Sequence, residues 1–206
     1  MPKEMNATLY MEAVARAASG IRAADAAGRE LPLNSAAEAG CALMQGCALK
    51  GNTVILIGNG GSAAIASHIA VDLMKNGGVR TLAFNDPSLL TCIGNDLGYA
   101  AVFETPIAMM ARQGDLLIAI SSSGASENIL RAVAAARKAG ASVITMSGFA
   151  SGNPLSKLGD LNFYVDSASY GPVEIMHTAL CHCLLDLYMI KSGKLDPRKL
   201  HPDTHC

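Results

Sequence analysis

The stretch that decides the fold reads Thr53-Val54-Ile55-Leu56-Ile57-Gly58-Asn59-Gly60-Gly61-Ser62-Ala63-Ala64. Its apolar first half predicts a buried strand, the glycines predict a tight turn, and the alanines that follow predict a helix. The free N–H groups at the start of such a helix, together with its dipole, favour an anion. We therefore expect a phosphate group to bind at this turn.

A second stretch repeats this design further along the chain. It runs Leu116-Leu117-Ile118-Ala119-Ile120-Ser121-Ser122-Ser123-Gly124-Ala125-Ser126, again an apolar strand, a hydroxyl-rich turn and the start of a helix. Two turns of the phosphate-binding type in one small chain indicate a phosphorylated small molecule as the ligand.

Strands and helices alternate through the rest of the chain. Continuous apolar runs predict five strands, at about 53–58, 80–84, 115–120, 142–147 and 161–165. Helices are predicted at 5–27, from Ser35 (as a capping box with Glu38) to about 49, at 126–139 and at 172–191. The alternation predicts a doubly wound, three-layer α/β fold with a five-stranded parallel sheet and additional N-terminal helices.

The 206 residues divide into three segments of one domain. We assign residues 1–50 to N-terminal helices that belong to the same domain and to an oligomer core, 51–191 to the main α/β domain, and 192–206 to a polar tail. Ligands of such parallel sheets bind at the carboxyl ends of the strands, where both turns described above fall.

Composition narrows the partners and the location. The net charge of -1 and the pI near 6.5 argue against a broad basic surface for nucleic acid. We expect no membrane partner, because no apolar run approaches ~20 residues, and no leader sequence in residues 1–30. The six cysteines form no C-x-x-C pair, which is typical of reduced thiols in the cytoplasm.

The first turn also allows two nucleotide-binding interpretations. A Walker-type loop needs Lys-Ser/Thr after its last glycine, which is missing here. Gly58-x-Gly60-x-x-Ala63 fits the dinucleotide fingerprint, which expects an acidic residue at the end of the second strand. Asp86 lies a few residues beyond that point and precedes Pro87, so it is predicted to be a helix cap instead.

Taken together, the two turns resemble those of the sugar isomerase (SIS) domain family. The resemblance is strongest to its phosphoheptose isomerase branch, which converts D-sedoheptulose 7-phosphate to D-glycero-D-manno-heptose 7-phosphate through an enediol. It extends over nearly the whole chain to about residue 190. The matching stretches are Ile57–Asp72, Cys92–Asp96, Gly114–Ser126, the helix up to Gly148, and Val173–Asp186. The resemblance implies a flavodoxin-like fold.

The resemblance also implies a set of residues that bind the sugar phosphate. They are Asn59, Gly60, Gly61, Ser62, Asn95, Asp96, Ser121, Ser122, Ser123, Ser126 and Glu174. Hydroxyl and N–H groups can hold a phosphate dianion without a buried lysine. For Ser126 a simple helix cap remains the alternative role.

Aldose–ketose isomerisation moves a proton between adjacent carbons and needs acid–base groups. His68 and Asp72 are four residues apart and share a helix face, and the last helix carries Glu174, His177 and His182. The resemblance implies that His68, Asp72, Glu174 and His182 hold a divalent metal, usually zinc, and that Asp72 and His182 are the catalytic acid–base pair. Many relatives have glutamate in place of Asp72 and glutamine in place of Glu174.

Spacing along the last helix bears on how the site is assembled. Glu174 and His182 are eight residues apart, or ~12 Å along a regular helix, too far for both to bind one metal from one straight helix. We therefore expect either a site built between subunits or an irregular helix near Pro172. The resemblance implies a homotetramer. We predict a structural role for His177 and core positions for Cys181 and Cys183.

Three alternatives remain open. His201, His205 and Cys206 could bind a metal, although a solvated tail is the favoured interpretation. The chain could be a non-catalytic binding protein of the SIS type that associates with the bacterial replication initiator. It could also isomerise another phosphosugar, such as an N-acetylated amino-sugar phosphate.

Overall fold

A computed structural model of the protein describes residues 5–200. His201, His205 and Cys206 lie outside the described residues. The α-helices are α1 (Ala7–Ser19), α2 (Leu33–Leu49), α3 (Gly61–Lys75), α4 (Pro87–Asp96), α5 (Glu104–Met110), α6 (Glu127–Lys138) and α7 (Tyr170–Lys191). The strands are β1 (Ile21–Asp25), β2 (Glu30–Leu31), β3 (Val54–Gly58), β4 (Thr81–Ala83), β5 (Leu116–Ser121), β6 (Ser142–Ser147) and β7 (Leu161–Val165).

The strands form one sheet in the order β2-β1-β7-β6-β5-β3-β4. The five predicted strands are its parallel part, β4-β3-β5-β6-β7, as each of their pairings is parallel. The α/β class with a parallel sheet and helices on both faces is therefore confirmed. Two antiparallel strands, β1 and β2, were not predicted.

The prediction of one helix over residues 5–27 is wrong in its second half. α1 ends at Gly20, whose N–H bonds back to the Arg16 carbonyl, and the chain then turns into β1. β1 pairs along its whole length with β7 and buries Ala23. The alanines favour a helix locally, but pairing with a sheet edge outweighs that preference.

Two further local predictions differ in outcome. The capping box at Ser35 does not form, because α2 begins two residues earlier, with Pro32 at the N-cap. Asp86 caps α4 as predicted: its carboxylate accepts hydrogen bonds from the N–H groups of Ser88 and Leu89 at 2.9 and 3.1 Å. Asp86 is thus committed to a helix start and is not placed like the acidic residue of a dinucleotide site.

The hydrophobic core lies on both faces of the sheet because strand side chains alternate in direction. On one face, Leu56 and Ile118 pack against α2, α3 and α7. On the other face, Ile55 and Leu117 pack against α6 and the α4–α5 region. These two clusters give the three predicted layers.

The strand order reverses between β3 and β5. From β3 the chain moves outward to β4, then returns to the other side of β3 for β5, β6 and β7. Ligands of open α/β sheets bind at the carboxyl ends of the strands beside such a reversal. The glycine turn after β3 and the serine turn after β5 both lie there.

α7 is long and apolar enough to cross a membrane, judged by length and composition alone. Its polar residues and its packing argue for a core helix instead. Val173, Leu184 and Leu185 are buried within the fold, and α7 packs against α1, α2 and α3. After α7, the Lys194 ammonium group bonds to the Gly77 carbonyl, so the described part of the tail is held against α3.

Candidate active site

A pocket with a volume of about 250 Å³ opens at the reversal of strand order. It contains every residue predicted to bind the sugar phosphate except Asn95 and Asp96. Its lining consists of Asn59, Gly60, Gly61, Ser62, Ser121, Ser122, Ser123, Ser126, Tyr170 and Glu174. The structure thus brings both predicted turns and the start of α7 together, while their role in binding remains a prediction.

The glycine turn has a backbone that other residues could not readily adopt. Gly60 has φ 55° and ψ -121°, in the region of positive φ that favours glycine. At Gly61 a Cβ atom would lie 2.5 and 2.6 Å from the two carboxylate oxygens of Glu174. Glycine therefore allows the start of α3 and the Glu174 side chain to approach each other closely.

The serine turn presents hydroxyl groups that are only loosely bonded to one another. The Ser121 hydroxyl lies 3.4 Å from that of Ser126 and 3.5 Å from that of Ser123. Ser126 stands at the N-cap of α6, but its side chain makes no capping bond, which speaks against the simple cap role. Within the described part of the chain, the buried Ser122 hydroxyl has no hydrogen-bond partner. These hydroxyls are available to a ligand.

The N-termini of three helices meet at the pocket. α3, α6 and α7 all begin at its wall, at Gly61, just after Ser126 and at Tyr170. Each helix N-terminus carries a partial positive charge and unpaired N–H groups. No lysine or arginine lines the pocket among residues 5–200. The arrangement can hold a phosphate through hydrogen bonds and dipoles without a buried cation.

Sequence reasoning missed several residues around this pocket. The carboxamides of Asn59 and Asn128 bond to each other twice, at 3.0 and 2.9 Å, and the Tyr99 hydroxyl donates to Asn59 at 2.9 Å. Tyr170, on the pocket wall, packs edge-on against Phe149, with ring centroids 4.9 Å apart. Only the position of Asn128, two residues after Ser126, could have drawn attention to it from the sequence.

Asn95 and Asp96 lie at the end of α4, outside the pocket lining. Their exposed side chains bond to each other, with Asn95 donating to the Asp96 carboxylate at 2.8 Å. The next contact along the chain, from Tyr99 to Asn59, connects this segment with the glycine turn. A role in contacting the sugar chain remains a prediction for both.

A second group of polar side chains lies further along α3 and α7. The potential ligand atoms of His68, Asp72 and His182 all lie within 4.8 Å of one another. The His68 ring approaches the Asp72 carboxylate at 3.5 Å, and the two histidine rings lie 5.3 Å apart at 64°. Two histidines and a carboxylate are a donor set that zinc accepts. These three of the four predicted ligands therefore fit a metal ion.

Glu174, the fourth predicted metal ligand, is not part of this cluster. It lines the pocket at the strand ends, two turns before His182 on α7. α7 is α-helical from Tyr170 to Lys191, so an irregular helix does not bring the two together within one chain. The expectation of an irregular helix is therefore wrong, and assembly between subunits stays a prediction.

Asp186 is a further carboxylate beside the cluster that the sequence analysis did not single out. It lies one turn after His182 on α7 and is half-buried. Burial raises the pKa of Asp186, the nearby His182 lowers it, and the charge of Asp72 raises it. The i, i+4 spacing from His182 was the signal available in the sequence.

His177 anchors α7 to the sheet. Its Nε2–H donates to the Ser147 carbonyl at 3.2 Å, and its side chain is fully buried. Burial lowers the pKa of His177 to about 4, so the ring is neutral at physiological pH. This placement agrees with the predicted structural role. Cys181 is buried as predicted, whereas Cys183 is exposed because it faces away from the core on the same helix.

Comparison with known proteins places the chain in a family. The SIS domain model matches residues 10–148. The phosphoheptose isomerase of Coxiella burnetii (strain RSA 331 / Henzerling II) is 36% identical over 153 residues, covering 70% of this chain and 77% of that protein. The phosphoheptose isomerase of Aliarcobacter butzleri (strain RM4018) is 38% identical over 143 residues, covering 66% and 75% respectively. The solved structure of phosphoheptose isomerase GmhA from Neisseria gonorrhoeae has a TM-score of 0.78 and 29% identity, covering 88% of this chain and 96% of that one. The chain thus belongs to the SIS domain family.

Proposed function

We propose that this protein is a ketose–aldose isomerase that converts D-sedoheptulose 7-phosphate to D-glycero-D-manno-heptose 7-phosphate. The observation that carries the proposal is the pocket of serine hydroxyls and helix N-termini, including the buried, unpartnered Ser122 hydroxyl among the described residues. Relatives at 36% and 38% identity are phosphoheptose isomerases. The glycine and serine turns would hold the phosphate and leave the sugar chain free to extend toward the reacting groups.

The reaction needs a proton to move between C1 and C2. In the proposed mechanism, the Asp72 carboxylate removes a proton from C1 of the ketose, which gives an enediol, and later returns it to C2. His182 moves a proton from the C1 hydroxyl oxygen to the C2 oxygen. Both side chains lie in one cluster, with their polar atoms within 4.8 Å of each other, so they can reach adjacent carbons.

His68, Asp72 and His182 would hold one zinc ion per subunit, with Glu174 of a neighbouring subunit as a candidate fourth ligand. The proximity of their ligand atoms supports this assignment. When bound, zinc supplies a Lewis acid that polarises carbonyl and hydroxyl oxygens. The two oxygens of the Asp72 carboxylate allow this residue to bind a cation with one and face the substrate with the other.

A homotetramer with active sites between subunits is the assembly we propose. The separation of Glu174 from the cluster supports it, because a straight α7 cannot bring both to one ion. Apolar side chains exposed on the same two helices also support it, since Ile175 on α7 is 42% exposed and Val71 on α3 is 51% exposed. We further propose a cytoplasmic location and a partner set limited to the sugar phosphate and other subunits, without nucleic acid or membrane.

A substrate panel tests the proposal most directly. The purified protein is incubated with ketose phosphates of five, six and seven carbons and with an N-acetylated amino-sugar phosphate, each with and without a chelator. We expect the seven-carbon substrate to be isomerised, the chelator to abolish turnover, and added zinc to restore it. If only another phosphosugar is turned over, the proposed substrate is wrong. If turnover resists exhaustive chelation, the proposed role of a metal is wrong.

The same assay distinguishes an enzyme from a binding protein. The chain retains Asp72 and His182, which a non-catalytic member would not need. A protein that isomerises no phosphosugar, yet is retained by immobilised replication initiator, would support the non-catalytic alternative.

A further inference from the structure

The hydrogen bonds of Asn59 hold it in place from two sides. Asn59 Nδ2 donates to Asn128 Oδ1 at 3.0 Å, and Asn128 Nδ2 donates back to Asn59 Oδ1 at 2.9 Å. The Tyr99 hydroxyl donates to the same Asn59 oxygen at 2.9 Å. Asn128 is only 3% exposed, whereas Tyr99 is 60% exposed. The paired carboxamides therefore form the buried part of this network.

The network uses most of the bonding capacity of the Asn59 side chain. A carboxamide oxygen has two lone pairs, and both accept protein donors here. Of the two N–H groups on Asn59 Nδ2, one is used by Asn128. One N–H group is left for a ligand. The Asn59 side chain is thus mainly a structural connection of the glycine turn, and the turn can meet a phosphate chiefly through its backbone.

The three residues belong to three separate segments around the pocket. Asn59 lies in the glycine turn after β3, and Asn128 lies in the first turn of α6, just behind the serine turn. Tyr99 lies in a short 3-10 helix, Tyr99–Ala101, that follows the end of α4 at Asp96. Neither Asn128 nor Tyr99 lines the pocket. They can act on a ligand only through Asn59 and the turns.

We propose that Asn128 and Tyr99 are positioning residues that set the separation of the glycine and serine turns. They thereby set the width of the phosphate site without touching the substrate. The inference rests on the proposed binding of a sugar phosphate between these turns.

The direct pairing of β3 with β5 stops at Gly58 and Ile120, before either turn. The serine turn is then held by β6, through the pairing of Ser121 with Ser147 and the Gly148 N–H bond to the Ser122 carbonyl. None of these bonds reaches the glycine turn. Without the carboxamide pair, donors on the two turns would spread over a range of distances. An anion held by preorganised donors is bound more tightly than one that must order them first.

Substitutions at Asn128 test the two hydrogen bonds between Asn59 and Asn128 separately. Asn128→Ala removes both bonds to Asn59. Asn128→Asp keeps the size and can accept from Asn59 Nδ2, but it cannot donate to Asn59 Oδ1 and adds a negative charge near the anion site. Tyr99→Phe removes only the exposed bond. The expected order of effect is therefore Asn128→Asp, then Asn128→Ala, then Tyr99→Phe.

The experiment measures the dissociation constant of inorganic phosphate by calorimetry, together with KM and kcat for D-sedoheptulose 7-phosphate. For Asn128→Ala we expect the phosphate constant and KM to rise together about tenfold, or about 1.4 kcal/mol, while kcat stays within about twofold. For Asn128→Asp we expect a larger rise, and for Tyr99→Phe about threefold. A change in the chemistry alone would instead lower kcat.

Asn162→Ala is the matched control. Asn162 is also a buried asparagine, 4% exposed, but it bonds to Thr145 and Gly159 at the amino end of β7. The control variant should lose stability and keep its affinity for phosphate. Unchanged phosphate affinity in folded Asn128→Ala, or an equal loss in Asn162→Ala, would overturn the positioning role. If Asn128→Ala does not fold, Tyr99→Phe decides by the same criterion, because it adds no charge.

The outcomes also separate this inference from the proposed function. A protein that isomerises none of the sugars, yet binds phosphate with an affinity that depends on Asn128, would retain the positioning role and lose the proposed activity. An active isomerase whose phosphate affinity does not depend on Asn128 would retain the proposed activity and lose the positioning role.

Discussion

The pocket at the strand ends and the His68–Asp72–His182 cluster share two helices, α3 and α7, but they differ in construction. The pocket lies at strand ends, where turn geometry and a buried carboxamide pair fix its walls. The cluster lies on helix faces further along, and the His68 side chain is 57% exposed. One close contact of 3.5 Å links His68 to Asp72.

In the proposed function, the pocket binds the phosphate and the cluster carries out the chemistry. Within one chain the pocket already offers hydroxyls and three helix starts to an anion. The cluster has an exposed member in His68 and does not include Glu174. The proposed metal and neighbouring subunit would complete it. We therefore expect substitutions in the pocket to change affinity for the sugar phosphate, and substitutions in the cluster to change turnover.

The largest expected effect is that of Asp72→Asn. The amide cannot accept the proton from C1, so kcat should fall about 10³-fold, within the range that general bases contribute. KM and the affinity for inorganic phosphate should change little, because Asp72 does not line the pocket. Steady-state kinetics and phosphate calorimetry measure the two properties separately.

Asp86→Asn provides the matched control for this substitution. Asparagine can cap α4 as aspartate does, so both stability and turnover should match the unmodified protein. A folded Asp72→Asn variant that keeps kcat within threefold of normal would contradict the assignment of the cluster to the chemistry.

The next largest effect is a pH dependence of stability caused by His177 on α7, the helix that reaches both the pocket and the cluster. The pKa of His177 is about 4 in the folded protein and 6.5 in the unfolded chain, so the unfolded state binds the proton first as pH falls. The stability contributed by the neutral ring is complete above pH 6.5 and is lost between pH 6.5 and about 4, by about 3 kcal/mol in all. Urea unfolding at pH 7.5 and 4.5 measures this loss.

The variant His177→Gln can still donate a hydrogen bond to Ser147 but cannot titrate in this range. Its free energy of unfolding should therefore depend less on pH, by about 2 to 3 kcal/mol between the two conditions. An identical pH dependence in both proteins would show that His177 is not held neutral on α7.

The smallest of these effects is expected for Gly61→Ala. The new methyl group would lie 2.5 Å from the Glu174 carboxylate, which must then move away from the turn. KM for the sugar phosphate should rise about tenfold, or about 1.4 kcal/mol, with a smaller change in kcat. Kinetics with the seven-carbon substrate test it.

Gly46→Ala is the control for the glycine itself. Gly46 lies in α2 with nothing within 4 Å of a new Cβ atom, so alanine should stabilise the helix by roughly 0.5 to 1 kcal/mol. Equal KM values in the two variants would remove the steric argument at Gly61.

The pocket could be predicted from the sequence because its signals are local. Gly58–Ser62 and Ser121–Ser126 each combine a strand, a turn and a helix start within about a dozen residues, and the alternation of elements places both at one edge of the sheet. The pairing of Asn59 with Asn128 could not be predicted, because it joins residues 69 positions apart through the packing of α6.

The N-terminal strands β1 and β2 could not be predicted from the sequence. Residues 21–25 are rich in alanine and continue the helical pattern of α1, so the local preference favoured a helix. Their strand conformation depends on β7, which lies 140 residues further along the chain. The cluster was partly predictable, because the i, i+4 spacing of His68 and Asp72 indicated a shared helix face. That Glu174 lies apart from the cluster could be seen only once the structure showed α7 as one continuous helix.

The β1–β2 hairpin has a consequence for aggregation. β7 is fully buried, and without β1 its backbone would form an open, apolar edge able to recruit strands from other molecules. The hairpin covers that edge and ends in a strand of only two residues, while the opposite edge, β4, has only three. Few unpaired backbone groups are therefore left at either edge of the sheet for pairing with another strand. Loss of the first 31 residues would therefore expose this edge to pairing with strands of other molecules, even though the glycine and serine turns would remain in the chain.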